Sequence, residues 1–359
     1  RILRLLLCVG LNGTGKSKMF SALNYLRMIA TAKPQKPSDK PEYRPFLLDN
    51  ISSTQPTELA LTYYIGEECF NYSIKISSNC IEEEELKLIQ SRSSRIFHRC
   101  HNKESDKVVI SYGNVCDLSK SDQRDLEVNT LANASVLSTF GALNLESQIL
   151  SKNFDFFENH ISMVHKSDKN LADKLQTGDS DKDKILKNLL LRLLKDVGTN
   201  ISDYIIEEAS LNISELKANG APDIVIKAML EQYPSGIITH KNLRFIHSTK
   251  EGNNGLDFEL ESLGTKNIIR LLVVLYDVII GEKSTCIDEI EYGVHTKALA
   301  FILKMYLTIA ENCQLIVATH DLSLLNADFL RRDAVRLFEK DEYGSTNVRR
   351  RDYLHNTIR

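Results

Sequence analysis

Long apolar runs are missing from this 359-residue sequence. The longest, residues 268–280, is interrupted by Arg270 and Asp277, whereas a spanning helix needs about twenty mainly apolar residues, so no membrane span is expected. CxxC pairs are missing too. The seven cysteines (Cys8, Cys69, Cys80, Cys100, Cys116, Cys286, Cys313) are odd in number and scattered, which speaks for reduced thiols in the cytoplasm rather than a disulfide framework. There is no excess of basic charge. A formal net charge of −3 lacks the electrostatic footprint of a dedicated nucleic-acid binder, although it leaves room for a local basic surface. Neither an internal repeat nor a sustained heptad array occurs, and the latter excludes a long coiled coil between the two halves. Proline is scarce except at 34, 37, 41 and 45, where it marks an exposed loop or insertion. The chain opens on Arg1 with a strand almost at once, so the native amino terminus is expected to lie upstream.

What is present suffices for a full core. With 42% hydrophobic and 26% charged residues, the chain accommodates one elaborated domain or two ordinary ones. Residues 5–9 read as a short buried strand and 16–31 as a helix with apolar groups at helical spacing. Residues 58–78 alternate on either side of Gly66-Glu67-Glu68, a hairpin pattern, and strand-like pieces continue to Tyr112. A helical segment is expected to end near His160. Residues 170–233 are rich in Leu, Lys, Asp and Glu, and Ile185, Leu186, Leu189, Leu190, Leu193 and Leu194 share a helical face, which predicts a helical insertion. Strand-like pieces then return at 243–247 and 256–260, followed by a long apolar helix and two short strands around Cys286-Ile287 and 315–318. Three regions result: 1–160 with a β-rich part, 161–235 as the insertion, and 236–359.

Between the first strand and helix stands Gly10-Leu11-Asn12-Gly13-Thr14-Gly15-Lys16-Ser17, a complete GxxxxGK[ST] P-loop. Its glycines let backbone N–H groups turn inward, so Gly10, Asn12, Gly13, Thr14 and Gly15 are candidates for cradling the phosphates of ATP. Lys16 would reach the β- and γ-phosphates, and the Ser17 hydroxyl would bind Mg²⁺. Further on, Cys286-Ile287-Asp288-Glu289 ends a short strand, with Asp288 as candidate metal-side carboxylate and Glu289 as candidate general base. An acidic surface turn would read the same way, because Glu282, Asp288, Glu289 and Glu291 crowd together. His320 follows the apolar strand 315–318 and could sense the γ-phosphate, or merely stand beside a cap by Thr319 or Asp321. Finally, Glu261-Ser262-Leu263-Gly264-Thr265-Lys266 precedes the long apolar helix. Ser262 and Gly264 there offer a second anion site, or a plain N-cap.

In this order the four pieces resemble the ABC-type ATPase heads of the SMC and RecF group. The ESLGTK hexapeptide is similar, more narrowly, to the signature of AAA-family ATPases of bacterial anti-phage and abortive-infection systems of the PtuA, AriA and RloA-like kind. Asp288-Glu289 followed by His295, then Ala318-Thr319-His320-Asp321 and Leu330-Arg331-Arg332-Asp333, match the same group. Weaker support comes from Val136-Leu137-Ser138 and from residues 194–198. The resemblance implies an α/β fold, a P-loop NTPase head of mixed sheets with flanking helices and a helical insertion lobe. It also implies ATP and Mg²⁺ as cofactors, with Lys16, Glu289 and His320 catalytic. A homodimer or higher homo-oligomer would form, with Ser262 and Gly264 of one subunit completing the ATP site of the other. The signature departs from the transporter form LSGGQ, and Gln148 is the sole candidate for the glutamine that links nucleotide to the helical lobe.

Three functions compete. The first is a sensor that regulates a separate effector, a nuclease by expectation, since the sequence carries no nuclease centre of its own. The second is a RecF-like repair ATPase that clamps DNA. The third is a transport ATPase docked on a membrane partner. Arg92, Arg95, Arg99 and Lys103 could form a phosphate-contacting strip or a solvated face. Arg349-Arg350-Arg351 reads as a surface patch. His98-Arg99-Cys100-His101 has metal-capable groups but no second cluster to complete a zinc site.

Overall fold

Strand β1 (Leu5–Val9) is five apolar residues long and nearly all buried, because it runs through the middle of a sheet. The structure, a computed structural model, describes residues 2–32, 36, 38–102, 104–105, 107–164 and 171–351. Pro34, Pro37 and Lys103 lie outside the described residues. Helix α1 (Lys16–Thr31) follows the P-loop, and an antiparallel meander comes next: β2 (Thr57–Ile65), β3 (Glu68–Ile76), β4 (Ile81–Ile89), β5 (Ser93–Asn102) and β6 (Lys107–Tyr112). Three helices, α2 (Lys120–Asn129), α3 (Val136–Ala142) and α4 (Gln148–Asp155), lead to β7 (Ile161–Val164).

The next stretch carries α5 (Leu171–Leu175), α6 (Ser180–Asp196), β8 (Ile201–Asn212), α7 (Ile213–Ala218) and α8 (Asp223–Gln232). Then come β9 (Ile237–Thr249), β10 (Gly252–Asp257), α9 (Leu263–Ile280), β11 (Ser284–Ile287), α10 (Thr296–Ile309), β12 (Gln314–Thr319), β13 (Val335–Lys340) and β14 (Thr346–Arg350). The central sheet has the order β14-β13-β1-β12-β11-β7, parallel throughout except for β14. A second sheet is the β2–β6 meander, and a third has the order β10-β9-β8. This is the mixed α/β architecture of a P-loop NTPase head.

The span expected to be a helical insertion is therefore not purely helical. Among its described residues there are four helices, but β7 belongs to the central sheet, and β8 forms a long antiparallel ladder with β9, with α7 and α8 between the two strands in sequence. The reason is local: Ile201, Tyr204, Ile205 and Ile206 are branched or aromatic and suit a pleated surface, and Tyr204 meets Phe245 across the ladder. Residues 256–260 also divide. β10 ends at Asp257, and Phe258 turns into a 3₁₀ turn and is buried near the charged ends of Lys266 and Arg270.

One core joins the central sheet to α6, α9 and α10, and a second fills the space between the meander and α1, α3 and α4. α9 is apolar on several faces, from Ile268 to Val278, because it packs against α5, α6 and α10 at once. Each fully buried Leu or Ile in it contributes about 1.5–3 kcal/mol of transfer free energy.

The meander overturns the reading of Arg92, Arg95, Arg99 and Lys103 as one basic strip or solvated face. A bulge puts Leu86 opposite Phe97 and Lys87 opposite Arg95, so Ile96 is extra and the side-chain alternation changes phase. Arg95 stays outside, paired with Glu85, while Arg99 is fully buried and gives its guanidinium to the carbonyls of Ile81, Leu131 and Ala132. All seven cysteines are free, and burial pushes the Cys8 and Cys286 thiols up to about 12. Among the described residues no helix is long and apolar enough to cross a membrane.

Candidate nucleotide site

Parallel strands end on one edge, and ligands of open α/β sheets collect there. The register places Val9 opposite Thr319 and Ile287 opposite Val317, so the chain leaves β1, β11 and β12 at neighbouring points. Gly10, Asp288 and His320 each stand one residue beyond the ends of those strands. Three sequence-distant segments thus meet through strand pairing alone.

The P-loop has the backbone its sequence requires. Gly13 and Gly15 have φ of 78° and 99°, in the left-handed region that side chains disfavour. Gly15 is the N-cap of α1 and no side chain caps that helix, which leaves the backbone donors of its first turn for an anion. The loop is also braced from behind. A Cβ on Gly10 would lie 2.5 Å from the Phe338 carbonyl, and one on Gly15 would lie 2.4 Å from Thr346 Oγ1. Thr346 donates its hydroxyl to the Thr14 carbonyl at 3.0 Å, and Thr14 donates its own to Leu11 at 2.8 Å.

Lys16 is buried, with 5% exposure, and its ammonium reaches the carbonyls of Gly10 at 2.7 Å and Leu11 at 3.0 Å. His320 Nδ1 stands 3.2 Å from the same nitrogen. Burial lowers the Lys16 pKa, and the nearby carboxylates of Asp288, Glu291 and Glu289 oppose that shift, in falling order of strength. Ser17 is exposed on the first turn of α1. Asp288 accepts the backbone N–H of Glu289 at 3.0 Å, and Glu289 is bent into the left-handed region with φ of 49°. Lys16, Asp288, Glu289 and His320 therefore lie near one another at the strand ends.

His320 stands beside a cap as well as beside the P-loop. Asp321 caps the following turn at Ser323, and Thr319 accepts the Asp321 N–H. At the signature, Ser262 is the N-cap of α9 and accepts the Thr265 N–H at 3.1 Å. A Cβ on Gly264 would lie 3.2 Å from the Gly293 carbonyl, and Asn267 donates to Tyr292, so the start of α9 rests on the turn that follows Glu289. The hydrogen bonds of the Ser262 side chain stay within its own helix start, on the hydroxyl and N–H of Thr265. Gln148 is exposed at the first position of α4, where its backbone N–H is held by Asp117.

Two participants escape a reading of the sequence. Glu291 accepts the His320 backbone N–H at 2.7 Å, and the sequence shows it only as one of several crowded acids. Thr346 has no local signal at all, being 332 residues from Thr14. The residues present suit a nucleotide and a hydrated Mg²⁺: an uncapped helix start, a buried lysine, an exposed Ser17 hydroxyl and Asp288 form such a set. Among the described residues the Glu291 Oε2 atom is buried with no hydrogen-bond partner, which adds an unused acceptor. Among the described residues no group of three or more His, Cys, Asp or Glu side chains is placed to hold a metal by itself.

Fold and site together define an ABC-like ATPase domain of the AAA type. The family model described as "AAA domain, putative AbiEii toxin, Type IV TA system" matches residues 9–326, and the chain belongs to that family. None of the curated proteins matches it. Among solved structures, the SMC head domain from Thermotoga maritima is 12% identical with a TM-score of 0.40, covering 97% of this chain and 90% of that one. An SMC head bound to the C-terminal winged-helix domain of ScpA is 12% identical with a TM-score of 0.45, covering 97% and 91%. The recombination mediator protein RecF is 14% identical with a TM-score of 0.31, covering 95% and 91%.

Proposed function

We propose that this chain hydrolyses ATP, closes on a second copy of itself around the nucleotide, and thereby regulates a separate effector, of nuclease type, in bacterial anti-phage defence. The observation that carries the closure is the division of the site. Lys16, Asp288, Glu289 and His320 gather at the strand ends, whereas exposed Ser262, at the start of α9 beyond the turn after Glu289, bonds only within its own helix start. A second subunit's Ser262 and Gly264 would complete the phosphate shell.

In this reading Gly10, Asn12, Gly13, Thr14, Gly15 and Lys16 hold the phosphates, and Ser17 and Asp288 hold the cation. Mg²⁺, when bound, supplies charge neutralisation at the phosphates. Glu289 takes a proton from the attacking water at its carboxylate, and His320 offers a ring N–H to the phosphate. Lys16 exchanges backbone carbonyls for phosphate oxygens, which return the charge compensation that burial removes. DNA clamping is the weaker reading, because Arg95 is engaged by Glu85 and Arg99 by buried carbonyls.

Glu289→Gln tests closure: light scattering with MgATP should show a dimer or larger assembly, and a mass that stays monomeric would remove the composite site. Affinity purification from the native host tests the regulatory role. A co-purifying effector and phage protection by the intact operon support it; neither being found would sink it.

A further inference from the structure

We propose that Glu291 is the positioning residue for His320, holding it against the P-loop and tying it to the turn that bears Asp288 and Glu289. The inference rests on the ATPase reading above and deepens it.

Beyond β12 the first backbone donor is the His320 N–H, and a carboxylate takes it: Glu291 Oε1 lies at 2.7 Å. Such charge-assisted bonds are short and roughly twice as strong as neutral ones. Next to it, the Ile290 N–H bonds the Ala318 carbonyl at 3.1 Å. The turn after Asp288 is therefore sewn to the end of β12 at two successive residues, one through backbone and one through the Glu291 side chain. Its own closure comes from Tyr292 N–H on the Glu289 carbonyl and Val294 N–H on the Glu291 carbonyl, both at 2.9 Å. Glu289, with its left-handed φ, provides the bend that brings Glu291 back toward the sheet.

A plain turn-closing role would need only the oxygen that meets His320. The other oxygen argues for more, since Oε2 is buried with no hydrogen-bond partner among the described residues, and a buried acceptor left unsatisfied is costly. The Glu291 charge also acts on buried Lys16, opposing the loss of the ammonium proton that burial favours. Glu291 thus bonds the backbone of His320 and attracts the lysine that His320 Nδ1 touches. Through it, a shift of the Asp288-Glu289 turn is transmitted to the histidine.

The test uses the full chain with Glu291→Ala, Glu291→Gln, His320→Ala and the Glu291→Ala/His320→Ala double variant. Loss of a hydrogen bond to a charged group predicts that Glu291→Ala lowers kcat about 10- to 100-fold, with KM and fluorescent ATP-analogue binding nearly unchanged. Glu291→Gln retains an acceptor for the N–H and should restore most of kcat. The double variant should be no worse than the poorer single one, since both remove the same link. A second readout needs no turnover: in ¹⁵N-histidine-labelled protein the His320 amide resonance should move upfield in Glu291→Ala and hold in Glu291→Gln. An unmoved resonance, or additive losses in the double variant, overturns the proposal. Should Lys16→Ala lose binding and Glu289→Gln lose turnover while Glu291→Ala matches wild type, this inference alone falls. If wild type hydrolyses nothing, the ATPase reading falls and the amide shift still decides the role of Glu291.

Discussion

His320 Nδ1 lies 3.2 Å from Lys16 Nζ and 3.1 Å from the Gly10 carbonyl, and one nitrogen cannot serve both partners in the same way. To meet the ammonium it must accept, which puts the ring proton on Nε2; to meet the carbonyl it must donate. Because the Gly10 carbonyl already accepts the Lys16 ammonium at 2.7 Å, the contact with Lys16 favours the tautomer in which Nε2–H is available as a donor. Replacing Lys16 with Met removes that selection as well as the phosphate contact. Binding of a fluorescent ATP analogue should weaken about 10- to 100-fold, the range for bonds to charged groups. Histidine side-chain ¹⁵N shifts should report a change of the His320 tautomer; an unchanged tautomer would dissociate the two residues.

Glu289→Gln should leave nucleotide affinity nearly intact and slow hydrolysis about 10²- to 10⁴-fold, the usual contribution of a positioned general base. Phosphate release under single-turnover conditions measures this. Turnover equal to wild type would take Glu289 out of the base role.

Ser262→Arg should abolish turnover alone and so should Lys16→Ala. Mixed in equal amounts, the two inactive chains can form one composite site from the intact P-loop of one and the intact signature of the other. Partial recovery of activity on mixing is the expected outcome, and none at all would place the signature outside the partner's site.

Gly15→Ala should cost stability rather than only function. Its φ of 99° is strained for alanine, by about 1–3 kcal/mol, and its Cβ would lie 2.4 Å from Thr346 Oγ1. Adding Thr346→Ala should recover the steric part but not the backbone part. Urea midpoints of the single and double variants separate the two; full recovery would mean that the backbone strain is absent.

Glu84 is fully buried with Arg99, accepts the Tyr72 hydroxyl at 2.9 Å and the Val136 N–H at 2.7 Å, and so fastens the meander to α3. Glu84→Ala should destabilise by about 3–5 kcal/mol, because it leaves a buried guanidinium without its countercharge. Burial raises the Glu84 pKa above 4.5, so the folded state holds that proton more readily than the unfolded one. Its contribution to stability is fully present below the unfolded pKa and is lost as pH rises through the folded value. In Glu84→Gln this one titration disappears, and urea midpoints across that window show whether the slope goes with it.

What could be seen in the sequence was whatever lies contiguous in the chain. The P-loop shows itself because strand, glycine turn and helix are adjacent, and Ser262 because an N-cap precedes its helix by one residue. β8 did not show itself. Its branched residues sit among Leu, Lys and Glu typical of helices, and its ladder partner β9 begins 25 residues after β8 ends, 237 against 212. Arg99 was misplaced because a single extra residue at Ile96 reverses inside and outside along β5, and no composition reports a bulge. The link from Glu291 to His320 and the brace from Thr346 to the P-loop are tertiary, and only strand order brings them into view.

That strand order also has a consequence for biosynthesis. β1 lies between β12 and β13, so this strand finds both its neighbours only after about three hundred further residues have been made. Pairing across such a separation is slow to nucleate, and until then an apolar strand and a glycine-rich loop wait without a sheet. The P-loop thus gains the braces behind it, the Phe338 carbonyl and the Thr346 hydroxyl, only once this late-made part of the chain has docked.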